Sequence, residues 1–190
     1  MDPINLKTKE LLASYLFNNI IKSHSNTRER KMKNLCFTVL CLISITIGSY
    51  SYADGRRFIT NDHIVVDLER KIEWLRCSVG QRWDGQTCVG NIVNLSLDIV
   101  PQALDIANKQ LGGTWRLPSK AELTSIVCEE CSSPKINKEL FPNTDNAPYW
   151  TGDKSIFNKR FYVSVNFHTG FSFNRFSPIK ELAVRFVRDR

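Results

Sequence analysis

Thr114-Trp115-Arg116-Leu117-Pro118-Ser119-Lys120-Ala121-Glu122-Leu123 (TWRLPSKAEL) contains the clearest helix start in the chain. Ser119 and Glu122 have the spacing of a capping box. The hydroxyl accepts from the N3 amide, and the N3 carboxylate reaches back to the cap amide. Ala121, Leu123, Ile126 and Val127 then read as the inward face of a helix that stops near Cys128. Upstream, Ala103, Leu104, Ala107 and Leu111 form one apolar stripe and predict a helix over 101–111. Asp98 reads as its cap, Pro101 is tolerated in the first turn, and Gly112-Gly113 ends it.

The flanks of these two helices read as β. Arg57–Thr60 (RFIT) and Ile64–Asp67 (IVVD) lie on either side of an Asn61-Asp62 turn, and Lys71–Arg76 (KIEWLR) alternates Ile72 and Trp74 with charged residues. After the helices, Tyr149–Gly152 reads as a short strand and Arg160–Phe167 (RFYVSVNF) alternates cleanly. His168-Thr169-Gly170 then reads as a hairpin turn, with Phe171 and Phe173 continuing the apolar face on the return strand. Ala183–Arg188 (AVRFVR) reads as a closing strand. Strands, two helices and more strands define an α+β domain.

Met32–Ala53 has the anatomy of a secretory signal peptide. Lys31 and Lys33 supply the positive region, Leu35–Ile47 the apolar core, and Ser51-Tyr52-Ala53 the small residues before a cleavage after Ala53. The apolar run spans ~20 Å as a helix, short of the ~30 Å hydrocarbon core, so no stable membrane insertion is expected after cleavage. Residues 1–31 read as upstream sequence ahead of a start at Met32, and 54–190 as a single domain. Export to the periplasm, cell surface or medium follows. The whole chain carries 26 Lys+Arg and 19 Asp+Glu, a formal net charge of +7. Seven of those bases and three of those acids precede Asp54, which leaves the domain at +3. That balance argues against a general nucleic-acid binder.

Four cysteines lie beyond Ala53: Cys77, Cys88, Cys128 and Cys131. An even number in an exported chain points to disulfides, with three possible connectivities. Cys77–Cys88 with Cys128–Cys131 is favoured, since the first closes a turn-rich loop containing Gly80, Asp84 and Gly85. A redox-active Cys128-Glu129-Glu130-Cys131 is the sharper alternative, although the two glutamates would raise a thiol pKa. A zinc site using all four cysteines fits poorly, because ten residues separate Cys77 from Cys88.

The blocks W-x-R-C-x-x-G-x-x-W-x-G-x-x-C (74–88), QALDIA (102–107), WRLPSKAEL (115–123), IN-x-x-x-FPNT (136–144), YWTGD (149–153), YVSVNF-x-x-G (162–170) and VRFVR (184–188) occur in order. Together they resemble the bacterial Lcl C-terminal domain family, named for the end of a collagen-like adhesin and formerly a domain of unknown function. The resemblance runs from about Arg57 to Arg188. It implies a C-type-lectin-like fold, with two helices on a twisted, mostly antiparallel sheet and the N- and C-terminal strands adjacent. It also implies an exported, often surface-associated protein acting in adhesion or glycan binding. The chain lacks a collagen-like Gly-X-Y tract and the EPN, QPD and WND triplets of calcium-dependent lectins. Asn143, Asp145 and Asn146 offer oxygen ligands, but such loops are more often turn chemistry, and neither a metal nor another cofactor is expected.

Catalysis is poorly served. His63 and His168 are the only histidines beyond Ala53, both in predicted turns, and no Ser-His-Asp pattern or phosphate loop stands out. Trp74, Trp115 and Trp150 read as core, whereas Trp83 sits in the polar cysteine loop, where it could stack on a sugar. Between Thr151 and Lys180 there are five bases (Lys154, Lys159, Arg160, Arg175, Lys180) against one acid, Asp153, with Phe157, Tyr162 and Phe176 interleaved. Such a patch attracts anionic polymers. The expectation is a non-enzymatic module contacting a glycan or other surface component through Lys154, Lys159, Arg160, Arg175 and Trp83. A structural subunit of an envelope or pilus system, with a protein partner, is the alternative.

Overall fold

A tight turn at Asp62, in the left-handed region at φ 51°, reverses Phe58–Asn61 (β1) onto Ile64–Asp67 (β2), and β2 pairs antiparallel with Ile72–Leu75 (β3). The computed structural model describes residues 57–190; the readings on 1–56, including the signal peptide, lie outside the described residues. Arg82–Trp83 (β4) and Cys88–Val89 (β5) make a short ribbon. Next come Val100–Leu111 (α1) and Lys120–Thr124 (α2). Pro148–Lys154 (β6), Tyr162–Asn166 (β7) and Ser172–Phe176 (β8) form an antiparallel sheet in that order. Val187–Asp189 (β9) returns to β3, giving the other sheet the order β1-β2-β3-β9.

The architecture is therefore α+β, with mostly antiparallel sheets and two helices, as the pattern predicts. The N- and C-terminal strands are not adjacent, contrary to expectation, because β2 and β3 fill the space between β1 and β9, which form opposite edges of the sheet. One apolar core joins its parts. Val65, Ile72, Trp74 and Val187 come from the first sheet, Tyr149, Val165 and Phe167 from the second, and Leu123 from α2. Arg57 clamps the edge by pairing with the buried Asp67 at 2.7 Å, and Asp67 also accepts the amides of Glu69 and Arg70.

The capping box forms as read: Ser119 Oγ accepts from the Glu122 amide at 3.2 Å, and Glu122 Oε2 accepts from the Ser119 amide at 2.7 Å. Only Leu123 of this five-residue helix is buried. Ala121 faces solvent, and Ile126 reaches the core from beyond the C-cap at Ser125. The α1 start also differs from the reading. Ile99 occupies the cap without a side-chain bond, so Asp98 does not serve, while Gly112 closes the other end as expected.

Two differences lie in the last third. The hairpin register places Phe173 opposite Ser164, and the Asn166 amide bonds to the Phe171 carbonyl. Residues directly opposite in an antiparallel pair share a face. Phe171 therefore falls with Asn166 rather than with Phe167, and it is 70 % exposed. The expected 183–188 strand is regular only at its end. Leu182 and Ala183 make isolated bridges to Leu95 and Tyr149, because this segment threads between elements rather than joining one sheet. Within it lies Arg185, fully buried. Its Nη1 donates to the carbonyls of Leu75 (3.0 Å) and Arg76, and its Nη2 to Ser78 Oγ (3.2 Å) and Thr144 Oγ1 (2.7 Å). Burial pushes the guanidinium down to about 10, still charged at neutral pH.

Candidate functional site

A groove of about 740 Å³ opens where α2 meets the β6-β7-β8 sheet. Lys154 ends β6, Arg175 belongs to β8, and Lys159 comes from the connection between β6 and β7. Three of the four predicted contact bases are thus gathered in one place. A fourth base joins them, since the capping box sets Lys120 at the start of α2 beside β6. Asp153 is the only acid in the lining, and its carboxylate accepts the Lys120 amide at 2.7 Å. Ile156, Phe157, Val163 and Phe173 add apolar surface.

Two of the bases lie near aromatic rings. Lys154 Nζ lies 5.6 Å from the Tyr162 ring centre, and the Arg175 guanidinium lies the same distance from that of Phe173. Both fall within cation–π range. The α2 end of the groove is fixed by an ion pair of Arg116 with Glu122 at 2.8 Å and by a second one with Asp189 at 2.5 Å. The Arg116 hydrogen bond holds the Glu122 carboxyl down at about 2, and the same bond raises the Arg116 guanidinium.

The other candidate residues lie elsewhere. Arg160 is exposed on the same connection as Lys159 but outside the groove lining, as is Lys180. Tyr162 and Phe176 pack edge-on against the buried Trp150, with centroids 6.4 and 6.1 Å from it. Trp83 belongs to the β4-β5 ribbon, half-buried, with the Arg76 guanidinium 3.9 Å from its ring centre. Trp74, Trp115 and Trp150 are buried, as read. What sequence reasoning missed is Lys120 and Ile156. The signal for Ile156 was present as an adjacent apolar pair in a polar, base-flanked turn; Lys120 needed the tertiary approach of α2 to β6.

Cys77–Cys88 and Cys128–Cys131 are disulfide-bonded, the favoured connectivity. Those bonds leave no free thiolate among the four for zinc. The Asn/Asp loop holds itself together. Asn143 Nδ2 donates to the Cys88 carbonyl at 2.6 Å, Asp145 Oδ1 accepts the Asn146 amide at 2.9 Å, and Asn146 Oδ1 bonds Ser133 and His168. His63 pairs with Asp62 at 3.0 Å, a hydrogen bond that holds the Asp62 carboxyl below its ordinary range.

The site is thus a base-rimmed groove on an α+β scaffold that carries two disulfides. The chain belongs to the Lcl C-terminal domain family, which matches it over residues 63–188. The family suggests an adhesin-associated domain. No curated protein and no solved structure matches the chain significantly. Among the described residues no helix is long and apolar enough to cross a membrane, and both the family and the disulfides are compatible with export.

Proposed function

We propose that the protein is an exported, non-catalytic binding module of C-type-lectin-like shape that recognises an anionic glycan at a cell or envelope surface. The observation that carries this reading is the groove: Lys120, Lys154, Lys159 and Arg175 around a cleft whose one acid is engaged by a backbone amide. Exposed cations on several elements suit a polymer that presents repeated sulfate or carboxylate groups, and each contact weakens with salt. Phe157 supplies an exposed aromatic face for a sugar ring. The signal-like stretch 32–53 and the two disulfides support export.

The test is binding of the oxidised protein to sulfated, carboxylated and neutral glycans at low and physiological salt. Salt-sensitive binding confined to the anionic members is expected. Replacing the groove bases Lys120, Lys154, Lys159 and Arg175 together with Ala should weaken it about a hundredfold, at roughly 0.7 kcal/mol per exposed contact. Unchanged affinity in that variant would remove the groove from the reading. Trp83→Ala is the companion variant: a loss there extends the contact surface to the cysteine loop. Silence across the panel in a folded sample shifts the function to a protein partner.

A further inference from the structure

The connection between β6 and β7 ends in two adjacent apolar side chains, Ile156 at 78 % and Phe157 at 82 % exposure. Isolated exposed apolar residues are ordinary on protein surfaces. A neighbouring pair at a loop tip with bases around it is a different arrangement. Lys154 precedes the pair, Lys159 and Arg160 follow it, and Lys120 and Arg175 stand across the same groove.

The backbone of this loop is closed on itself. The Ser155 amide donates to the Phe161 carbonyl at 2.8 Å, and the Phe161 amide to that of Asn158 at 3.0 Å. The Ser155 hydroxyl accepts the amides of Phe157 (3.3 Å) and Asn158 (3.4 Å), and Asn158 Oδ1 accepts the Arg160 amide at 3.0 Å. Ser155 itself is buried, so the tip stands on a fixed base. Five of the seven backbone amides of 155–161 are thus met inside the loop, which lowers the penalty for moving it from water toward hydrocarbon.

We propose that the 155–161 loop is a membrane-contact tip that seats Ile156 and Phe157 at the headgroup–acyl boundary of an anionic bilayer. Lys154, Lys159 and Arg160 then meet the lipid phosphates, with their aliphatic stems lying along the boundary. The charge pattern selects an anionic surface, and the apolar pair selects a lipid one, because a soluble polyanion makes no use of Ile156. The contact is shallow and reversible, set by apolar area plus charge. It goes beyond the glycan reading and does not depend on it.

The experiment is co-sedimentation of the oxidised full chain with vesicles of phosphatidylcholine alone and of phosphatidylcholine mixed with phosphatidylglycerol. It is run on wild type, the I156S/F157S double variant and F157W. Residues 1–56 are common to all three, so differences between them report on the tip. The double variant should bind the anionic vesicles about tenfold or more weakly with an unchanged melting temperature, since both side chains stand in solvent. In F157W, the emission added over wild type should be quenched by bromine-labelled acyl chains in anionic vesicles only. Equal binding by wild type and the double variant overturns the proposal. So does vesicle binding with the added tryptophan unquenched, which would mean attachment by charge or by another segment. Binding to soluble anionic glycans without vesicle binding overturns it too, and leaves the glycan reading standing.

Discussion

Two loops of this domain set an aromatic ring among bases, 77–88 and 155–161, and they treat the ring in opposite ways. In the first, Trp83 lies under the Arg76 guanidinium, which itself donates to the carbonyls of Asp62, Glu139 and Leu140. Ser78, at the start of that loop, bonds the buried Arg185 and Tyr149. Gly80 passes so close to Asn91 that a Cβ would stand 2.4 Å from its carbonyl oxygen. In the second loop, Phe157 and its neighbouring bases reach outward, and the hydrogen bonds stay within the loop. A cation satisfied by carbonyls and a ring is structural, whereas cations gathered beside exposed apolar surface are available to a partner. The bases that look alike in the sequence divide on this point.

The contrast fails first if Arg185 is dispensable. Arg185→Ala removes the donor to two carbonyls and two hydroxyls and leaves a cavity in the core, and about 3–5 kcal/mol of stability should be lost in urea titration. A loss near zero would mean that the 77–88 loop does not rest on the core. Next in size are the disulfides. On the chain-entropy account, opening Cys77–Cys88 by paired Ser substitution should cost ~3 kcal/mol, and opening the tighter Cys128–Cys131 ring ~2 kcal/mol. Neither pair borders the groove, so glycan binding by the still-folded fraction should be unchanged in both variants. The smallest effect concerns the α2 end of the groove. Glu122 ordinarily titrates near 4.5 and is held at about 2 in the fold, chiefly by Arg116. Its contribution is therefore present above pH 4.5 and is lost progressively as pH falls toward 2. Glu122→Gln should flatten that part of the melting-temperature profile while leaving a shallower one from the other carboxylates. An unchanged slope would mean that the Arg116–Glu122 pair contributes no measurable stability.

Local signals were legible where one short segment decides the outcome. Ser119 and Glu122 announced their cap, Asn61-Asp62 its turn, and the Cys77–Cys88 spacing its bond. Arg185 was not legible, because its partners, Leu75, Ser78 and Thr144, are scattered in the sequence and meet only after folding. Phe171 was misread for a related reason: alternation carries a face along one strand, but only the turn's register decides which face the next strand inherits. The groove was half legible. Its bases cluster in sequence between 154 and 175, whereas Lys120 arrives from another element and Arg160 turns out to lie beside the groove rather than in it.

The β3-β9 pairing also bears on how the domain carries load. Phe58, Asp67, Ile72 and Asp189 stand in one row of cross-strand partners, so the domain's two ends lie only about 14 Å apart, three strand spacings. A pull between those ends would act across the strands and peel them one hydrogen bond at a time. A pull between one end and a ligand in the groove would run through the shared core instead. Force entering at one end and leaving through the β6-β7-β8 sheet is therefore carried by packed side chains rather than by a row of edge hydrogen bonds.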